Sequence, residues 1–203
     1  MCFCLSFAVN SLYVQAEATR SIVVLGDSLS AGYGMKQEQG WIHLLNQRVS
    51  ELESPYHIIN ASISGETTAG GLARLPKILE KEKIDHLVIE LGGNDGLRGF
   101  PPKLIKNNLL QIIQLAKDKN IDIALMQIKI PPNYGPKYNQ LFVKVFQDLA
   151  TANNIPLLTF FMEDIAINPT LMQKDGIHPN VTAQPLIADN MAEQLNNLIK
   201  RSF

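Results

Sequence analysis

Ser21-Ile22-Val23-Val24-Leu25-Gly26-Asp27-Ser28-Leu29-Ser30 reads as a buried strand that runs into a tight turn. The apolar run from Ile22 to Leu25 has no polar alternation, which suits a strand covered by helices on both faces. Gly-Asp-Ser then breaks the run and pushes one side chain beyond the edge of the sheet. A serine hydroxyl is a weak nucleophile near neutral pH, so Ser28 needs a base, and the base needs an orienting group. Asp175-Gly176-Ile177-His178-Pro179, far along the chain, offers both.

Outward from this stretch, short apolar runs alternate with amphipathic ones. Strands are predicted at Ser21 to Leu25, Tyr56 to Ala61, His86 to Leu91, Asp122 to Gln127 and Pro156 to Leu158. Helices are predicted at Trp41 to Glu51, Thr68 to Lys83, Pro102 to Lys119, Lys137 to Asn153 and Thr182 to Lys200. Within the third helix Leu109, Leu110, Ile112, Ile113 and Leu115 recur at helical spacing. The alternating order predicts an α/β fold, a doubly wound parallel sheet with helices on both faces. No repeat, linker or low-complexity segment interrupts it, so residues 20–203 are expected to form one domain.

The chain has 203 residues, of which 46% are hydrophobic, enough for one substantial core. A net charge of -1 gives no broad field that would point to nucleic acid or an acidic partner. Residues 1–16 are apolar and uncharged, and Val14-Gln15-Ala16 places small residues where a signal peptidase cuts. They read as a signal peptide, although no basic residue opens them; the other reading is an apolar tail packed on the domain. Export would make the protein periplasmic or secreted. Cys2 and Cys4, the only cysteines, fall in this segment and have no metal-site spacing to the histidines. No later stretch approaches the length of a membrane span, and no membrane anchor is expected.

A sheet of this kind places its reactive groups beyond the carboxyl ends of its strands. The loops that fall there are Gly26-Asp27-Ser28, Ser62-Ile63-Ser64-Gly65, Gly92-Gly93-Asn94-Asp95 and Pro131-Pro132-Asn133-Tyr134-Gly135. Ser28 is the candidate nucleophile and His178 its base, with Asp175 accepting the proton on the second ring nitrogen. Donors for the negative oxygen of a tetrahedral intermediate would be the Ser28 and Gly65 backbone N–H groups and the Asn94 side-chain amide. Each residue also has a plain reading: Ser28 as a helix cap, Asp175-Gly176 as a surface turn, Gly65 and Asn94 as turn formers. The conjunction favours chemistry, because four separate loops would have to mimic one site. Ser30 is a weaker rival nucleophile. His43 lies within a helix, while His57 and His86 start strands and suit structural roles. Asp27 and Asp95 could also orient the imidazole, but the Asp-x-x-His spacing favours Asp175.

Gly26 to Tyr33, Gly65, Gly92 to Asp95 and Asp175 to Pro179 together resemble the ordered blocks of the SGNH, or GDSL, hydrolases. The similarity runs from about Ser21 to the C-terminal helix. It is strongest to the bacterial periplasmic thioesterase I, lysophospholipase and arylesterase group, through Asn60 to Gly65, Leu72 to Pro76, Leu91 to Phe100 and Pro132 to Gly135. The resemblance implies a three-layer, flavodoxin-like sheet of five parallel strands. It also implies Ser28, Asp175 and His178 as a triad and Ser28, Gly65 and Asn94 as an oxyanion hole. In that group the segment matching Leu97 to Pro102 is a mobile loop that closes over an acyl chain. Substrate contacts are accordingly expected at Leu97, Arg98, Phe100, Tyr134 and Ile177; a hydrophobic staple at a helix entry is the plainer account of that loop.

The expectation is therefore a monomeric serine hydrolase of fatty acyl esters and thioesters, acting on a small-molecule substrate and needing no metal or organic cofactor. The enzymatic alternative is a carbohydrate acetylesterase. The alternative of another class is a noncatalytic flavodoxin-like binding module, which lacks support because the first turn is no phosphate-cradling glycine loop.

Overall fold

The computed structural model describes residues 19–52 and 54–200. The expected signal peptide and both cysteines lie outside the described residues. Five strands form one sheet: β1 (Arg20–Gly26), β2 (Tyr56–Asn60), β3 (His86–Glu90), β4 (Asp122–Met126) and β5 (Leu157–Leu158). Every pairing is parallel and the order is β2-β1-β3-β4-β5. All five predicted strands are present, each trimmed or extended by a residue or two.

Eight α-helices accompany the sheet in the described residues. The long ones are α2 (Trp41–Glu51), α3 (Thr68–Lys81), α5 (Pro102–Lys117), α6 (Pro136–Asn153) and α8 (Gln184–Lys200). Three short ones, α1 (Ser28–Ala31), α4 (Gly93–Leu97) and α7 (Glu163–Ala166), carry too few residues for any period to register in sequence. Helices α3, α5 and α6 pack side by side, and α2 packs on α8. With right-handed crossovers this puts one layer on each face of the sheet. The predicted helix from Thr182 begins instead as a 3-10 turn, Val181–Ala183, because the Asn180 side chain accepts from the Thr182 and Ala183 N–H groups. The predicted α3 and α5 each overrun the structure by two residues. After α5 the chain turns through Asn120, whose φ of 56° ends helical geometry.

Residues Ile22 to Leu25, Leu87 to Ile89 and Ala124 to Met126 are almost wholly buried. Leu109, Ile112 and Ile113 of α5 cover them from one side, whereas Leu110, from the same apolar run, is exposed. Among the described residues no helix is long and apolar enough to cross a membrane.

The order of the sheet decides where chemistry can occur. β1 is an interior strand that pairs with β2 on one side and β3 on the other, and the chain reverses direction across the sheet between β1 and β3. Loops leaving β1 and β3 diverge at such a switch point and leave a crevice. The Gly26-Asp27-Ser28 turn and the Gly92 to Asp95 segment flank it, and Ser62 to Gly65 follows the neighbouring β2.

His86 enters the core at the opposite end, as a structural residue. It is 1% exposed, its ring lies 5.7 Å from that of Tyr56, and its Nδ1 stands 3.7 Å from Asp122 Oδ2 without a hydrogen bond. Burial pushes its pKa down, against the pull of Asp122 and Asp85 and with the help of Arg20. The unfolded chain takes up this proton near pH 6.5 while the folded chain resists, so stability falls as pH drops below that value. His86→Leu should therefore lose less melting temperature than wild type between about pH 7.5 and about pH 5, measured by thermal denaturation. Equal losses would mean that His86 does not titrate in the unfolding transition.

Candidate active site

The turn after β1 is built by its own side chains. Asp27 caps α1: its carboxylate accepts from the Leu29 N–H at 3.0 Å. Ser28 is the first residue of that helix, where backbone N–H groups have no acceptor within the helix. Ser28 is 9% exposed. Its Oγ lies 2.9 Å from His178 Nε2, and His178 Nδ1 lies 2.7 Å from Asp175 Oδ2. The three predicted residues thus form one hydrogen-bonded chain across 150 positions of sequence.

The loop that brings His178 there is braced from several directions. Met172 and Pro179 form an antiparallel bridge, and the Gln173 N–H donates to the His178 carbonyl at 2.8 Å. Asp175 Oδ1 accepts from the Ile177 and His178 N–H groups at 2.9 and 3.0 Å, so the carboxylate that meets the imidazole also shapes its loop. Partial desolvation pushes the Asp175 carboxyl up. The backbone N–H and ring of His178, with the Ile177 N–H, outweigh it and hold the pKa down at about 2. An ionised Asp175 is what fixes the Nδ1–H tautomer and leaves Nε2 free to take a proton from Ser28.

Sequence reasoning missed two parts of this brace. The Gln173 amide donates to the Tyr33 carbonyl at 2.8 Å and to the Pro179 carbonyl at 3.0 Å, riveting the histidine loop to the chain after Ser28. The Tyr33 ring packs on His178 with centroids 4.3 Å apart. Tyr33 stands within the recognised Gly26 to Tyr33 block, which was the available signal; nothing in the sequence marks Gln173.

The other aspartates and serine have separate duties. Asp27 Oδ2 accepts from Asn94 Nδ2 at 3.1 Å, which leaves the second amide hydrogen of Asn94 for another acceptor. Asp95 accepts from the Thr68 backbone and hydroxyl, and Ser30 donates to Glu90, so none of these replaces Asp175 or Ser28. Gly65 lies on the loop after β2, next to the β1 turn through the Ile63 N–H to Gly26 carbonyl bond of 3.1 Å. Its own carbonyl accepts from Arg98 at 3.3 Å.

Ser28, Asn94 and His178 line a cavity of about 530 Å³. Its walls are largely apolar: Leu29, Ile128, Ile130, Phe160, Met162 and Ile167 among others. Of the expected substrate contacts, Leu97 and Ile177 line this cavity. Arg98, Phe100 and Tyr134 do not border it. Phe100 packs against the core, Arg98 is drawn to Gly65, and the Tyr134 hydroxyl donates to the Leu97 carbonyl at 2.9 Å. Tyr138 similarly donates to the Phe100 carbonyl at 2.6 Å, so two tyrosines fasten the Leu97 to Phe100 segment from α6 and the turn before it. A second hollow of about 500 Å³ opens between Lys117, Asp122, Asn153 and Pro156, at the other end of the sheet, and contains none of these groups.

The family model of the GDSL-like lipases and acylhydrolases matches residues 24–184. The chain belongs to that family. Family membership carries serine-dependent hydrolysis of acyl esters and thioesters with it. An arylesterase of Vibrio mimicus is 46% identical over 193 residues, covering 95% of this chain and 93% of that one. A thioesterase 1/protease 1/lysophospholipase L1 of Escherichia coli (strain K12) is 48% identical over 188 residues, covering 93% and 89%. Among solved structures, the psychrotrophic esterase EstA from a Pseudoalteromonas species, inhibited by monoethylphosphonate, superposes with a TM-score of 0.88 at 46% identity. It covers 89% of this chain and 99% of its own.

Asp27 carries a measurable signature of its position. Burial raises its pKa to about 6, against the lowering effects of the Leu29 N–H, His178 and Asn94. Folding therefore disfavours its ionised form: the penalty is absent below about pH 4, where the carboxyl is protonated in both states, and is complete above about pH 6. Asp27→Asn cannot ionise, so its melting temperature relative to wild type should rise between about pH 4 and about pH 7.5. At the same time its kcat should drop by about tenfold or more, because an amide has one acceptor oxygen for the Leu29 N–H and the Asn94 amide, which the carboxylate receives on separate oxygens.

Proposed function

We propose that this protein is a serine esterase and thioesterase that cleaves fatty acyl esters and thioesters, including aryl esters, acyl-CoA and lysophospholipid, through an acyl-enzyme on Ser28. The single observation that carries this reading is the Ser28–His178–Asp175 chain opening onto a cavity with apolar walls. In the first half-reaction Ser28 Oγ attacks the acyl carbon while His178 Nε2 takes its proton. The carbonyl oxygen becomes negative and is held by the Ser28 N–H, the Gly65 N–H and the Asn94 amide. When the intermediate collapses, the bond to the thiol or alcohol breaks and His178 returns the proton to the leaving group. Water, deprotonated by the same nitrogen, then attacks the ester on Ser28 and releases the fatty acid.

Ile128, Ile130, Phe160 and Met162 favour an alkyl tail over the alternative of an acetylated sugar, which needs a polar wall for its hydroxyls. The binding-module alternative leaves the aligned serine and imidazole without purpose. In this reading residues 20–203 work as one domain, preceded by a signal peptide, and the protein acts as a periplasmic or secreted monomer without a cofactor.

Ser28→Ala should lower kcat on p-nitrophenyl esters by roughly 10⁵-fold and abolish labelling by a fluorophosphonate probe. Near wild-type turnover in this variant would end the proposal. A chain-length series of p-nitrophenyl esters and acyl-CoAs should favour medium or long chains over acetyl. Gly99 has a φ of 68°, which proline cannot adopt. Gly99→Pro should therefore disturb the Leu97 to Phe100 segment and reduce turnover of long acyl chains more than of acetyl esters. Equal losses would show that this segment plays no part in chain recognition.

A further inference from the structure

Beneath the Ser28 turn lies a carboxyl group to which the proposed reaction gives no task. Glu90 ends β3 directly opposite Gly26, the last residue of β1, in the parallel ladder. It is 1% exposed. The missing side chain at Gly26 makes room for it: a Cβ there would stand 2.5 Å from Glu90 Oε2 and 2.8 Å from Ser62 Oγ. Oε2 accepts from the Asp27 N–H at 3.2 Å and from the Ser30 hydroxyl at 2.7 Å. Those two donors flank Ser28 on either side in sequence. Oε1 is buried and has no hydrogen-bond partner among the described residues, and Glu90 belongs to the lining of the active-site cavity.

Asp27, 3% exposed, completes the arrangement by accepting from the Leu29 N–H and from Asn94. Among the described residues no lysine or arginine is hydrogen-bonded to either acid. Two carboxylates buried together without a cation cannot both ionise cheaply, and an ionised Glu90 would leave one charged oxygen with nothing to accept from. The neutral acid resolves this. With its proton on Oε1, Oε2 would keep its lone pairs for the two flanking donors.

We infer that Glu90 is a positioning residue that works uncharged: it ties both flanks of Ser28 to β3 and leaves the one negative charge of the pair on Asp27, which aims the Asn94 amide. This rests on the hydrolase reading above and extends it to the groups behind the reacting atoms. Electrostatics agree with the geometry. Burial first, and the neighbouring Asp27 second, hold the Glu90 carboxyl well above the usual carboxylate range.

The test compares Glu90→Ala with Glu90→Gln on p-nitrophenyl butyrate, with rates expressed per site titrated by a fluorophosphonate so that unfolded protein is not counted. Misplacing a reacting group by a fraction of its bond length is costly, so Glu90→Ala should lower kcat by about 100-fold while KM stays within about twofold. Glu90→Gln, a neutral isostere with one acceptor oxygen for both donors, should recover to within about fivefold of wild type across about pH 6.5 to 8.5. Glutamine activity nearer to the alanine variant than to wild type would overturn the inference, since a charge would then be required. Wild-type kcat in Glu90→Ala would overturn it as well. Should the alanine variant yield no titratable sites, the glutamine variant decides alone by the same criterion. A wild-type protein that neither turns over ester nor labels at Ser28 would sink the hydrolase reading instead, an outcome distinct from an active wild type with a crippled Glu90→Gln.

Discussion

The parallel ladder between β1 and β3 sets the position of everything that follows. Its register places Gly26 against Glu90 and so brings the turn bearing Ser28 beside the segment bearing Asn94. Backbone hydrogen bonds in a ladder are spaced at fixed intervals, and a slip of one residue would reverse the face of every side chain in β1. Buried Ile22 to Leu25 forbid that slip, because each would have to trade a packed environment for a wrong one. Hydrophobic burial thus aligns polar groups that contribute little to stability themselves.

The second requirement is to bring a loop from the far end of the sequence onto this rim. Here the forces are polar and local. Asp175 accepts three hydrogen bonds from its own loop, Asn180 caps the following turn, and Gln173 reaches across to Tyr33. A loop held only by apolar contact could rotate; one held by directed bonds presents its imidazole in a single orientation. Asp27 shows the cost of such order. Its buried carboxylate opposes stability at neutral pH and persists where it orients Asn94. Trading stability for pre-organised polar groups is general in sites that stabilise developing charge.

Much of this was legible in the residues. Continuous apolar runs exposed the strands, helical spacing exposed the long helices, and the Gly-Asp-Ser and Asp-Gly-Ile-His segments marked the residues that the fold joins in one hydrogen-bonded chain. Their separation in sequence did not hide them, because each has a local signature. The cavity walls were harder to see. Phe160, Met162 and Ile167 follow a strand of only two residues and look like core or loop until the sheet edge is known. Phe100 shows the same difficulty: an aromatic beside a glycine suggests an exposed contact, while in the fold it is partly buried against the core. Glu90 was read only as part of a strand, since nothing in a run of apolar neighbours tells whether its acid points into solvent or beneath a turn.

The 150-residue interval between Ser28 and His178 has a consequence for biosynthesis. During translation the serine emerges early and its partner very late, after all five strands. Contacts of such long range form late in folding because closing the intervening loop costs entropy first. A growing polypeptide on the ribosome therefore carries Ser28 without its imidazole partner. The contact between the two rims of the site arrives only with the last segments of the fold.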